Sequence, residues 1–363
     1  MIDSQAVRAE LARVLDPLLG RGLDSLGMVR EVDTGLLGSL KVVLAVPVPN
    51  YPGFEELDRR VRVALEGITG ARSAKVEMLV MGDDERSQLM GRLRATGGPG
   101  IGETGSPTRV VAISSGKGGV GKSSVSTNLA VALANLGHTV GVIDADVWGF
   151  SIPRMLGVTH PPVVIDQSII PPTAHGVKAM SMDYFVADDQ AVIWRGPMLH
   201  KAIEQFLKDV FWDDPELLIV DMPPGTGDVA ISLSQFTPRA QVLVVTTPQP
   251  TAQRVARRAA LMAEKVNQEV MGVVENMSWF TGDDGTSYEI FGEGGGRALA
   301  EDLGVPLLAQ IPLVAAMREG ADHGRPVAAA LPGSEVEQAF RKLAEEVVAR
   351  KPRVRTHPEL VIR

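Results

Sequence analysis

No cysteine occurs anywhere in the 363 residues. That zero excludes disulfides and every thiolate-held metal or iron-sulfur site built from the chain's own side chains. No apolar run approaches the roughly 18 residues that a membrane-spanning helix requires. The opening stretch MIDSQAVRAELARVLDP mixes acids and bases where a secretory leader carries its apolar block. The expected compartment is therefore the cytoplasm, with no membrane partner. Basic charge is also short: 36 Lys and Arg stand against 44 Asp and Glu, a net charge of -8. Phosphate backbones are bound by concentrated basic surface, so a general nucleic-acid role is disfavoured. The six histidines, at 138, 160, 175, 200, 323 and 357, include no pair at metal-ligand spacing.

What is present suffices for well-buried cores, since 45% of the residues are hydrophobic. Residues 1–95 read as a small α+β domain. A helix is expected from Gln5 to Leu19, then strand-like GMVREV and SLKVVLAVPVP, the helix FEELDRRVRVALEGI, and the alternating strand AKVEMLVM. ATGGPGIGETGSP then has the glycine, proline and small polar residues of a flexible tether, giving a linker over 96–107. From 108 to 363 apolar strands alternate with helices: RVVAISS, TVGVIDAD, ELLIVDMP, QVLVVTTP, VMGVVENMS and PLLAQIPL. Continuous Val/Ile/Leu strands alternating with helices predict a mostly parallel, doubly wound α/β sheet with ligands at its carboxyl edge.

Ser115 to Ser124 reads SGKGGVGKSS, which fits the phosphate-loop pattern from Gly116 to Ser123, with a strand before it and a helix after it. Backbone N–H groups of Gly116, Lys117, Gly118, Gly119, Val120 and Gly121 can turn toward an anion at the helix amino end, with Ser124 in the first helical turn. Lys122 is placed to reach the β and γ phosphates of ATP, and Ser123 to ligate Mg²⁺. Asp221 closes the strand ELLIVD and is the second Mg²⁺ candidate, while Asp144 and Asp146 close TVGVIDAD. An acid at such a strand end also serves as a helix cap or turn residue. The loop DMPPGTGD offers the N–H of Gly225 or Gly227 as a γ-phosphate sensor. Asn276 carries the donor and acceptor that an adenine edge needs, unless it merely shapes a turn.

Lys117 is additional to what a phosphate loop needs. KGGVGKS resembles the deviant Walker motif of the MinD, ParA and nitrogenase-iron-protein class. The resemblance implies a homodimer in which Lys117 reaches the partner's nucleotide, and it points to Asp146 as the group that positions the attacking water. Together with DADVWGFSIPRMLG, IWRGPM, DMPPGTGD and ENMS, the chain resembles the Mrp/ApbC family of iron-sulfur cluster carrier ATPases. LDPLLGRGLDSLGMVR resembles the small iron-sulfur-assembly domain that precedes the ATPase in many of its members. The family resemblance implies an ATP-hydrolysing dimer that binds an iron-sulfur cluster and passes it to client or assembly proteins, with Lys117, Lys122 and Asp146 as the catalytic group.

In that family a Cys-x-x-Cys pair follows ENMS. Here the stretch reads WFTGDDGTSYEIFG, and Thr281, Gly282, Asp283, Asp284 and Gly285 stand where thiolates are expected. VPVPNYPG likewise stands where relatives of the small domain carry a cysteine. Adjacent acids before glycine are turn residues first, so a hairpin is expected, with GEGGG leading into the next helix. Three functional readings follow: a carrier whose cluster ligands come from elsewhere, a nucleotide-switched partner-binding ATPase with no cluster, and a MinD- or ParA-like positioning ATPase. The third would use Arg254, Arg257 and Arg258 on one helix for DNA, or a basic amphipathic carboxyl-terminal helix for membrane. KPRVRTHPELVIR, with two prolines, lacks that helix's pattern. Trp194 and Arg195 in WRGPM are read as the start of a helix that can form part of a dimer surface.

Overall fold

Strand-forming runs and helix-capping signals organise two compact units, the first comprising 1–97, 162–172 and 209–211 and the second the remainder. A computed structural model describes residues 3–35, 39–68, 73–95, 97–147, 149–185, 196–225 and 227–352. Trp194, Arg195 and the tail beyond 352 lie outside the described residues.

The first unit contains α1 (Ser4–Arg13), β1 (Val29–Thr34), β2 (Ser39–Val46), α2 (Phe54–Glu66), β3 (Ser73–Val80) and α3 (Asp83–Ala95). β2 is central, antiparallel to β1 and parallel to β3. The first helix ends at Arg13, short of the expected Leu19, because Asp16 precedes a proline and its carboxylate takes over as a cap. Asp16 Oδ1 accepts from the N–H of Leu18 at 3.0 Å and Leu19 at 2.7 Å, and from Tyr51 Oη at 2.6 Å. Burial, ahead of these donors, raises the Asp16 pKa. Helix α3 falls after the last expected strand and takes the chain up to the tether. Its apolar Leu89, Met90 and Leu93 are buried in this unit's core. The antiparallel pair β6 (Val163–Ile165) and β7 (Ser168–Ile170), which the sequence reading gave to the ATPase domain, packs here through Ile165 and Ile170.

The second unit is built on eight strands: β4 (Arg109–Ser115), β5 (Val140–Asp144), β8 (Thr173–Ala174), β9 (Val177–Ser181), β10 (Leu217–Asp221), β11 (Gln241–Thr246), β12 (Glu269–Asn276) and β15 (Leu307–Ile311). Their order is β15-β12-β11-β4-β10-β5-β9-β8, parallel except for the two-residue edge strand β8. This is the mostly parallel doubly wound sheet expected, with two strands toward one edge, β9 and β8, that had not been anticipated. Val111, Ile113, Val140, Val142, Leu217 and Ile219 pack with α4 (Lys122–Asn135) and α12 (Glu335–Ala349) in one apolar core. Period-two alternation sends Ala112 and Val242 to the opposite face, against Ala259 and Ala263 of α8 (Pro250–Lys265). The remaining helices are α5 (Ile152–Leu156), α6 (Gly196–Lys208), α7 (Asp228–Phe236), α9 (Gly295–Leu303), α10 (Ala315–His323) and α11 (Val327–Ala330).

The supposed tether is partly shaped by hydrogen bonds: the N–H of Gly98 donates to Asp214 Oδ2 at 2.8 Å, and that of Gly100 to Glu103 Oε2 at 2.9 Å. Among the described residues no helix is long and apolar enough to cross a membrane.

Candidate functional site at the phosphate loop

Strand β4 delivers Ser115 to the carboxyl edge of the sheet, and residues 116–121 turn into α4. Gly121 has φ +79°, a conformation that favours glycine, and a Cβ there would run into the Asn276 amide. The first turn of α4 presents Lys122, Ser123 and Ser126 on one side, as residues three and four apart do.

These three side chains converge on Asp221, which is fully buried at the end of β10. Lys122 Nζ lies 2.6 Å from Asp221 Oδ2 and 3.7 Å from Asp146 Oδ2. The Ser123 hydroxyl donates to Asp221 Oδ2 at 2.7 Å and that of Ser126 to Oδ1 at 2.5 Å. The structure thus brings together Lys122, Ser123 and Asp221, each singled out from the sequence, and adds Ser126, whose spacing from Lys122 was the available signal. A carboxylate beside a serine hydroxyl at a phosphate-loop helix is a hard oxygen donor set that suits Mg²⁺. No group of three or more His, Cys, Asp or Glu side chains that could hold a metal occurs among the described residues.

Asp144 pairs in register with Asp221 across parallel strands. Its Oδ2 accepts from the N–H of Ser151 at 2.9 Å and Ile152 at 3.1 Å, so it caps the amino end of α5. Its Oδ1 accepts from the Asp146 N–H at 3.3 Å. Burial first, and the Asp221 carboxylate second, push its pKa up to about 7. Asp144 therefore holds the backbone of the segment carrying Asp146, which is itself 8% exposed.

Lys117 Nζ donates to Gln249 Oε1 at 3.1 Å within the same chain. Gln249 precedes the proline that opens α8 and was not singled out from sequence. Gly225 donates its N–H to the Ser115 carbonyl at 2.9 Å, so one of the two amides expected to face a γ-phosphate is engaged with the loop's own strand, while the other, Gly227, stands at the amino end of α7. Asn276 is 2% exposed and its Nδ2 donates to the Val120 carbonyl at 2.9 Å. The donor half expected for a base is thus tied to the phosphate loop, and Oδ1 is left buried without a partner. Thr247 Oγ1 is orphaned in the same way. It lies beyond the end of β11, whose Thr246 pairs with Glu275.

The DDG segment forms the expected hairpin. β13 (Phe280–Thr281) runs antiparallel to β14 (Ser287–Tyr288), and α9 begins in the glycine run. Asp284 spends its carboxylate on the turn, accepting from the Thr286 N–H at 3.0 Å and the Thr286 hydroxyl at 2.8 Å. These donors, the N–H first, hold its pKa below the usual carboxylate range.

A family model described as NUBPL iron-transfer P-loop NTPase matches residues 106–348. The chain belongs to this family. A second family model, described as iron-sulfur cluster assembly protein, matches residues 4–78 of this P-loop NTPase. An iron-sulfur cluster carrier protein of Mycobacterium bovis is 45% identical over 355 residues, covering 95% of this chain and 93% of its own. Among solved structures, the nucleotide-binding protein of Archaeoglobus fulgidus, in complex with ADP, is 31% identical with TM-score 0.55, covering 64% of this chain and 93% of that one. The cell-division ATPase MinD of Pyrococcus furiosus is 26% identical with TM-score 0.52, covering 66% of this chain and 98% of that one. The P-loop NTPase fold expected from sequence is the one these neighbours share.

Proposed function

We propose that the chain is an ATP-hydrolysing, cytoplasmic homodimer that handles iron-sulfur clusters as cargo without ligating them through its own side chains. The observation that carries the ATPase half is the convergence of Lys122, Ser123 and Ser126 on buried Asp221.

Lys122 and the loop N–H groups would hold the phosphates. Mg²⁺, bound by Ser123 and Asp221, would offset charge on the β and γ oxygens. Asp146, 3.7 Å from the Lys122 ammonium, would be the group that orients a water toward the terminal phosphate. Lys117, held by Gln249 in the single chain, would exchange that partner for the second subunit's nucleotide. Asn276 Oδ1 and Thr247 Oγ1 suit a base that presents an amine there. Adenine does so, whereas guanine would place a carbonyl oxygen against the Asn276 oxygen. The test is ATP turnover with GTP as comparator: wild type should hydrolyse ATP, and Lys117→Ala should lose both turnover and ATP-dependent self-association.

The cargo half rests on the family and on the named relatives, and the donor set limits it. Iron-sulfur clusters take thiolates, occasionally histidines. The hairpin tip offers only Thr281, Asp283 and Asp284 side chains, with Asp284 already used. Anaerobic purification with iron and sulfide analysis, with and without an added low-molecular-weight thiol, decides the matter. Cluster retained only with the thiol supports external ligation. No cluster in either case leaves the second reading, a nucleotide-switched partner-binding ATPase, which the cysteine-free sequence favours.

A further inference from the structure

Glu275 is the penultimate residue of β12, one before Asn276, and is 1% exposed. Successive strand residues point to opposite faces, so the two side chains leave the strand in different directions. Asn276 goes to the phosphate loop, on the Val120 carbonyl. Glu275 goes to two other places. Its Oε1 accepts from Ser278 Oγ at 3.0 Å and from Gln310 Nε2 at 2.8 Å, and its Oε2 accepts from the Gly296 N–H in the first turn of α9. A Cβ on Gly296 would sit 2.6 Å from the Glu275 Cβ, so the approach depends on glycine.

Ser278 is the base of the β13–β14 hairpin. Its N–H donates to the Ile311 carbonyl at 3.0 Å, and the next residue, Trp279, accepts from the Leu313 N–H at 2.6 Å. On the other side, a Cβ on Gly295 would strike the Pro248 carbonyl and the Gln253 amide, so α9 begins directly on the segment that carries Gln249. Gln249 holds Lys117. The contacts therefore close a ring that leaves the phosphate loop at Lys117, passes through Gln249, Gly295, Gly296 and Glu275, and returns through Asn276 to Val120. A buried carboxylate with three donors resists rearrangement, because losing any one strands a buried polar group.

We propose that Glu275 is the positioning residue through which nucleotide on the phosphate loop sets the hairpin and the start of α9. This inference rests on the proposed nucleotide binding. When a nucleotide draws Lys117 off Gln249 or shifts Val120, both ends of the ring move, and Glu275 is where the ring meets the hairpin base. The surface so controlled is apolar and acidic: Phe280, Tyr288 and Ile290 are 36%, 46% and 58% exposed. Asp283 and Glu289 lie between them in sequence, and Glu293 follows shortly after.

Hydrogen exchange of the full chain, with and without ATP, tests this, with ATP affinity measured on the same preparations by calorimetry. In wild type, ATP should change exchange in 279–291 and at the amino end of α9 by about fivefold or more, the range of an ordinary allosteric coupling. Glu275→Gln keeps the volume but sets an amide against either the Gly296 N–H or the Ser278 and Gln310 donors, so it should abolish that response while ATP still binds. Ser278→Ala removes the hairpin arm alone, and should flatten the hairpin's response while that of α9 persists. ATP binding with no hairpin response in wild type overturns the inference, as does a full response in Glu275→Gln. Absence of ATP binding in wild type overturns the proposed function, and this inference with it.

Discussion

Replacing Lys122 by alanine does more than remove a phosphate ligand. Lys122 is 6% exposed and Asp221 fully buried, with Nζ and Oδ2 2.6 Å apart, and Asp146 is the ammonium's second carboxylate partner at 3.7 Å. Asp144 sits beside Asp221 on the next strand. Without the ammonium, Asp221 keeps two serine donors but no counter-charge, and its neighbours add repulsion. Removing one partner of a buried ion pair costs about 3–5 kcal/mol. The expectation is therefore that nucleotide-free Lys122→Ala is less stable than wild type by that amount in urea unfolding at pH 8. Adding Asp221→Asn removes the stranded charge, so the double variant should recover on the order of 2 kcal/mol relative to the sum of the singles. A Lys122→Ala protein within about 0.5 kcal/mol of wild type, the range of an ordinary surface change, would refute the view that this lysine is a structural cation in the nucleotide-free protein.

Asp144 gives a pH test. Its folded pKa is raised to about 7 from 3.8, so its contribution to stability is fully present below 3.8 and is lost as pH rises through about 7. Asp144→Asn retains an acceptor for Ser151 and Ile152, and it should flatten wild type's stability loss between pH 4 and pH 7, whose slope from this group is at most about 1.4 kcal/mol per pH unit. Gly121→Ala should cost about 1–2 kcal/mol from the left-handed backbone alone and weaken ATP binding by displacing the Asn276 amide; unchanged ATP affinity in calorimetry would count against the Asn276–Val120 strut. Arg109 donates to the carbonyls of Val347 at 3.0 Å, Val348 at 3.2 Å and Arg350 at 2.6 Å, so it caps the end of α12. Arg109→Ala should cost about 2 kcal/mol and raise exchange in the last turn of α12 before it affects the sheet.

The buried strands were legible because residues such as Val140–Asp144 and Leu217–Asp221 are covered on both faces and read as continuous apolar runs. The edge was not. β9 carries Lys178 at its second position and β8 has only two residues, so neither gives a run that stands out. Helix α3 was hidden by its charge, since DDERSQLMGRLRA buries only three residues and runs up to a glycine-rich stretch. At the site, the phosphate-loop motif fixed backbone geometry and therefore the positions of Lys122 and Ser123, while strand ends placed Asp221. What it could not give was the partner of each side chain. Gln249 under Lys117 and Val120 over Asn276 are tertiary pairings set by how α8 and β12 dock, and no local pattern encodes them.

The hairpin shows why loss of cluster ligands need not disturb the nucleotide machinery. Its base is tied by Ser278 to Glu275 and by Trp279 to Leu313, whereas its tip is closed by Asp284 on Thr286. Asp284 also accepts from the Tyr288 hydroxyl at 3.4 Å, which ties the tip to β14, but no hydrogen bond joins Asp284 to Ser278 or Glu275, so a change of chemistry at the turn acts on Glu275, Asn276 and the phosphate loop only through the hairpin arms. An acidic turn can therefore stand at the tip while the strand beneath it keeps its hold on the nucleotide site. On that reasoning Asp284→Ala should loosen the tip alone, leaving ATP affinity and the exchange of residues 275–278 as in wild type. A fall in ATP affinity in that variant would mean that tip and base are one unit, and that the cysteine-free tip bears on nucleotide binding after all.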